Sequence, residues 1–220
     1  MYLLQPQPQV NTSSLVASQS MPCASTLSMP NNATTWSSRQ TEVEQVDWLI
    51  LHFNHWFSHH NVILVRGDFE PEYFPSTAEQ PARIQFAHGF FNSALHEISH
   101  WSIAGEKRRL LPDLGYWYAP DGRNAEQQAL FEQVEIKPQA IEWLYAMAFG
   151  RKFRVSLDNL TGEGSDGAQF KDNVYAQVLK YFNGETKLPR DAAHLIQCIC
   201  MATRQGKMLK LHEFSRAALD

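Results

Sequence analysis

The sequence predicts an α+β fold, mostly helical, in which one domain carries a small sheet and a metal-binding helix behind a disordered N-terminal tail. Three observations predict it. Apolar residues recur at helical spacing through most of the chain after residue 40. Only two short runs, "NVILVRGD" and "ARIQFAH", branch or alternate as strands do. The first 40 residues are dominated by Ser, Thr, Gln, Asn and Pro, with Arg39 their only charge, and cannot bury enough apolar surface to offset chain entropy.

Taken in order, residues 1–40 are expected to be a tail and residues 41–220 the folded domain. The tail lacks a basic start and a sustained apolar stretch, which argues against a secretion signal. Val43, Val46, Leu49, Ile50, Phe53, Trp56 and Phe57 mark the first helix. The two strand-like runs follow. Next comes "HGFFNSALHEISHW" (88–101), then a Gly/Pro-broken loop, "AGEKRRLLPDLGYWYAPDGRN", which cannot be long regular structure. In that loop Arg108 and Arg109 read as solvated, and Tyr116, Trp117 and Tyr118 as either loop anchors or a wall facing substrate. A second helix covers "AEQQALFEQVEIKPQAIEWLYAMAFG", with "FRVSLDNL", a Gly-rich turn "TGEGSDG" and two or three further helices behind it. That turn lacks the Lys-Ser/Thr ending of a phosphate loop.

Composition narrows function. The 220 residues are 44% hydrophobic, ample for one core. A net charge of -4 and pI near 6.1 give no broad basic field for nucleic acid. No apolar run approaches the ~20 residues of a membrane span. Cys23, Cys198 and Cys200 are too few and too uneven for a disulfide framework, which points to a reducing, cytoplasmic setting. Cys198 and Cys200, in C-x-C, read as small buried core residues.

The motif carries the chemistry. On a helix, His96 and His100 lie one turn apart on one face and can aim imidazole nitrogens at one ion, with Glu97 beside the remaining positions. A third donor must come from elsewhere. In "LFEQVEIKPQA" Glu132 and Glu135 share a face, and without the histidine pair both would read as ordinary surface charges. Glu135 is favoured over Glu132 because Gln139, one turn on, could hydrogen-bond it, and because Pro138 should bend or restart the helix there by removing the partner of the Val134 carbonyl. The unused Glu132 would support the ligand or face solvent. His88 reads as a hydrogen-bonding group at the helix entry; His55, His59, His60, His194 and His212 show no ligand spacing.

Two histidines and a carboxylate serve either a zinc hydrolase, with Glu97 as the base acting on a metal-bound water, or an Fe(II) oxygenase using dioxygen. Spacing alone favours the hydrolase. Three blocks reverse the order: "FAHGFFNSALHEISHWSIAGEKRR", "GYWYAPDGR" and "FEQVEIKPQA" together resemble the elongation factor P hydroxylase family over about residues 42–215. The resemblance implies an iron-dependent monooxygenase acting on elongation factor P, at the delta-carbon of a lysine that usually carries a β-lysyl group. It places the metal on His96, His100 and a glutamate of "FEQVE". It does not imply 2-oxoglutarate, since the H-x-D…H order of those oxygenases is missing. A binding module that docks on the factor without catalysis is the third reading.

Overall fold

The computed structural model describes residues 29–30, 34–115, 123–156 and 167–220. Tyr116, Trp117 and Tyr118, nearly all of the Gly-rich turn and most of the expected tail lie outside the described residues. Among the described residues there are five α-helices and three short strands: α1 Glu42–Trp56, β1 Val62–Arg66, β2 Glu72–Phe74, β3 Ala82–Phe86, α2 Phe91–Ile103, α3 Ala125–Ala148, α4 Ala168–Phe182 and α5 Arg190–Thr203. None of these helices is long and apolar enough to cross a membrane.

Helix α1 starts at a capping box: the Thr41 hydroxyl accepts from the Glu44 N–H, and the Glu44 carboxylate accepts from the Thr41 N–H. Val46, Leu49, Phe53 and Trp56 enter the core, whereas Val43 stays exposed in the first turn. The chain packs earlier than its composition suggests. Trp36 sits against Trp48, Phe91 and Phe149, with ring centroids 5.3, 5.7 and 4.7 Å away, and the Trp48 indole N–H donates to the Thr34 carbonyl. One aromatic side chain docks a segment whose average composition reads as tail.

The sheet has order β1-β3-β2, with β1 parallel and β2 antiparallel to β3. In β3 residues Ala82, Ile84 and Phe86 face the core, the alternation expected of it. Strand β2 was not expected. It spans only three residues between Pro71 and Pro75, too few for a periodic signal, and is held from outside: the Tyr73 N–H donates to Asp113 and its hydroxyl to the Arg109 carbonyl.

The sheet delivers the chain into α2 through His88 and Gly89, both left-handed at φ 51° and 71°. Glycine takes that conformation without cost, and His88 takes it with some strain. No side chain of α2 caps its own N-terminus; Glu42 of α1 accepts from the Phe91 N–H at 3.0 Å, placing a carboxylate at the positive end of the helix. The other end is clamped by Arg109, which sequence reading placed in solvent. Its guanidinium lies 3.7 Å over the Trp101 ring, donates to the Trp101 carbonyl, and pairs with Asp191 of α5 at 2.6 Å. A planar guanidinium can stack and hydrogen-bond together, a combination that loop composition does not reveal. Helix α3 passes through Pro138 without restarting. Val134, whose carbonyl loses its partner, is exposed, so water can take over that bond. Cys198 and Cys200 are buried, as expected.

Two outcomes test this account. Trp36→Ala should destabilise by about 2 kcal/mol in urea unfolding, below the range for a fully buried Trp. Asp191→Asn leaves Arg109 without its counter-charge and should cost about 3 kcal/mol at pH 7. Burial pushes the Asp191 carboxyl up, but His60 and Arg109 outweigh it and hold the group well below the usual carboxylate range. A depressed pKa contributes stability above the unfolded value and loses it as pH falls, so the gap between wild type and Asp191→Asn should shrink below about pH 4.

Candidate metal centre

Helix α2 packs on α3, and the Ser102 and Tyr145 hydroxyls tie the two at 2.8 Å. His96 and His100 point from α2 into this seam with their Nε2 atoms 3.1 Å apart. Glu135 of α3 meets both: its carboxylate oxygens lie 3.6 Å from His96 Nε2 and 3.4 Å from His100 Nε2. One donor atom from each residue can be chosen so that all lie within 4.8 Å, and among the described residues no other His, Cys, Asp or Glu group does this. Donors around one ion at about 2.1 Å stand roughly 3.0–3.5 Å apart, so the seam suits a single small divalent cation. Glu135 is 1% exposed, a costly place for a carboxylate unless cationic or hydrogen-bonding partners face it.

Of the two glutamates considered from sequence, Glu135 is the one brought to the histidines. Glu132 sits one turn earlier and accepts a hydrogen bond from Gln128, whose carbonyl oxygen accepts in turn from Arg123. Gln139 is buried, but its hydrogen bonds run to the N–H and carbonyl of Ser156 and not to Glu135, so it fastens α3 to the segment that follows it. The residue behind a ligand is instead Glu142, 2.9 Å from His96 Nδ1. Sequence reading passed over Glu142. The signal was present: Glu135, Gln139 and Glu142 fall at i, i+4 and i+7, a polar line along one face of α3, all buried.

Glu142 settles which nitrogen of His96 is free. A carboxylate at Nδ1 takes that N–H, leaving the Nε2 lone pair directed into the seam. Electrostatics follow from the crowding of charge. Burial pulls the His96 imidazolium down, but the hydrogen bond and charge of Glu142, with Glu135 and Glu97, outweigh it and raise the pKa to about 10. Burial pushes Glu97 up against the pull of His96 and His100, and pushes Glu142 up against its bond to His96. Without metal, then, a proton sits near His96 Nε2, facing His100, where a cation would go.

The fold and site therefore define an α+β protein with a candidate centre of two histidines and one carboxylate on packed helices. Comparison with known proteins adds the family. The Elongation factor P hydroxylase model matches residues 52–214. A protein named Elongation factor P lysine hydroxylase, from Haemophilus influenzae, is 50% identical over 149 residues, covering 67% of this chain and 83% of the relative. This chain belongs to the elongation factor P hydroxylase family.

His96→Ala, His100→Ala and Glu135→Ala should each lower bound metal to near background by elemental analysis, since two donors hold a cation poorly. Glu142→Ala should weaken affinity about 10- to 100-fold without abolishing it, and Glu132→Ala should keep the metal. Because uptake must displace the His96 proton, affinity should rise about tenfold per pH unit from pH 6 to 8, with close to one proton released in calorimetry across buffers.

Proposed function

We propose that the chain is a protein-lysine hydroxylase acting on elongation factor P, with Fe(II) held by His96, His100 and Glu135 and dioxygen as co-substrate. The observation that carries the reading is the convergence of those donors in a chain of this family. The relative's name supports lysine as the target. Fe(II) on two histidines and a carboxylate supplies dioxygen activation, one oxygen atom entering a C–H bond while a reductant's two electrons convert the other to water.

The chain's own residues bind, orient and exclude. Glu142 keeps His96 in the tautomer that offers Nε2, and Glu135 provides the negative charge that favours a dication over a proton. The His100 and Glu135 side chains are 8% and 1% exposed, whereas that of His96 is 21% exposed. The site is thus closed on the α3 side and open beside His96 and Glu97, which sets the direction from which a lysine side chain enters. Tyr116, Trp117 and Tyr118, in the segment leading into α3, are proposed as a wall for it. Glu97 is not needed as a base in this chemistry. The zinc-hydrolase and binding-module readings have no comparable support.

Incubation of the Fe(II)-loaded protein with elongation factor P, a chemical reductant and air should add 16 Da to one lysine by peptide mass spectrometry, a figure that is about the mass of one oxygen atom. Zinc-loaded protein, or the iron form under argon, should leave the factor unchanged. Cleavage of the factor, or turnover with zinc in the absence of oxygen, would overturn the assignment.

A further inference from the structure

We propose that Glu97 is the specificity residue of this centre and pairs with the ammonium group of the target side chain. The inference rests on the hydroxylase reading and deepens it.

The carboxylates around the histidines divide by what they touch. Glu135 faces both Nε2 atoms, Glu142 bonds His96 Nδ1, and Glu132 is engaged by Gln128 one turn away. Glu97 differs from all three. No hydrogen bond or ion pair reaches its side chain among the described residues. It is only half-buried, on the open side of the site, where the other two carboxylates of the seam are closed in. One position after His96 and three before His100, it stands on the helix face next to the imidazole pair, close enough for both rings, Glu135 and Glu142 to act on its charge.

Charge balance points the same way. The formal charges of a divalent cation are cancelled by Glu135 and Glu142, with both imidazoles neutral. Glu97 is the carboxyl group of the seam that this balance leaves over. An ammonium entering a site of low dielectric loses its hydration and needs an anionic partner, and a carboxylate that accepts no hydrogen bond among the described residues breaks none to provide one. A neutral side chain in that place would desolvate Glu97 without giving it a counter-charge, a penalty that discriminates against it. Preference for a cationic target is thereby built in one residue away from a metal ligand.

The test is a double-mutant cycle on binding, with the Fe(II)-loaded protein under argon so that no turnover occurs. Wild type and Glu97→Gln are each titrated with elongation factor P carrying its target lysine unmodified or acetylated, acetylation removing the charge. Wild type should bind the lysine form about tenfold or more tightly than the acetylated form, while Glu97→Gln should differ by less than about twofold. Under air, Glu97→Gln should raise KM by a similar factor with kcat changed less, metal content should match wild type, and Glu97→Asp should restore part of the binding. Equal losses on acetylation in both proteins, a kcat collapse at unchanged KM, or loss of metal from Glu97→Gln would each overturn the assignment. If wild type forms no +16 Da product yet the cycle shows coupling, the hydroxylase reading fails and the ammonium contact stands.

Discussion

The hydrogen bond from His96 Nδ1 to Glu142 is the interaction on which the site depends. It fixes one imidazole in one tautomer, and through that ring it determines what the opposite nitrogen offers to the seam. Without it either nitrogen of the neutral ring could carry the remaining proton, and nothing would reserve the Nε2 lone pair for a cation once the second proton is displaced. The bond also supplies much of the negative field that raises the His96 pKa in the metal-free protein. The field that favours a proton on His96 favours a dication more, because the same carboxylates attract its charge twice as strongly.

Such a seam is a poor place to derive stability. Buried carboxylates and imidazoles cost desolvation energy that their mutual attraction only partly returns. The surrounding structure compensates with apolar bulk and with clamps at both ends of α2. At one end Glu42 accepts from the first helical N–H; at the other Arg109 stacks on Trp101 and pairs with Asp191. Trp101 follows His100 directly and packs edge-on against Phe53 and Phe57. The metal-facing side of the helix is therefore polar and the opposite side aromatic, and the aromatic side holds the polar one in place. The same arrangement leaves Glu97 half-buried beside the seam, with no hydrogen bond or ion pair to its side chain among the described residues.

Much of this was legible from residues alone where the signal was local. The helix over 91–103 and the shared face of His96 and His100 follow from a period of 3.6, and burial of Cys198 and Cys200 follows from their apolar surroundings. The capping box at Thr41 and Glu44 is likewise local, a four-residue pattern. Features built from single residues over long distances were not legible. Trp36 docks a stretch whose average composition says tail, Arg109 reaches across 82 positions to Asp191, and three residues of β2 are held by partners from the loop after α2.

The sequence by itself determined that two imidazoles lie one helical turn apart and that a nearby helix carries carboxylates on one face, because both facts are properties of a single helix. Only the tertiary structure decided which carboxylate serves. Glu132 and Glu135 differ by three positions, about 60° of rotation about the axis of α3, and that rotation is set by how α3 packs on α2, α4 and α5. The same packing turned Glu142, two turns further on, against the back of His96, and turned Gln139 toward Ser156 instead of toward the ligand. Spacing along one helix is fixed by hydrogen bonds within it, whereas the angle at which one helix faces another is fixed by the summed fit of apolar side chains over the whole core, a quantity no local stretch of sequence contains.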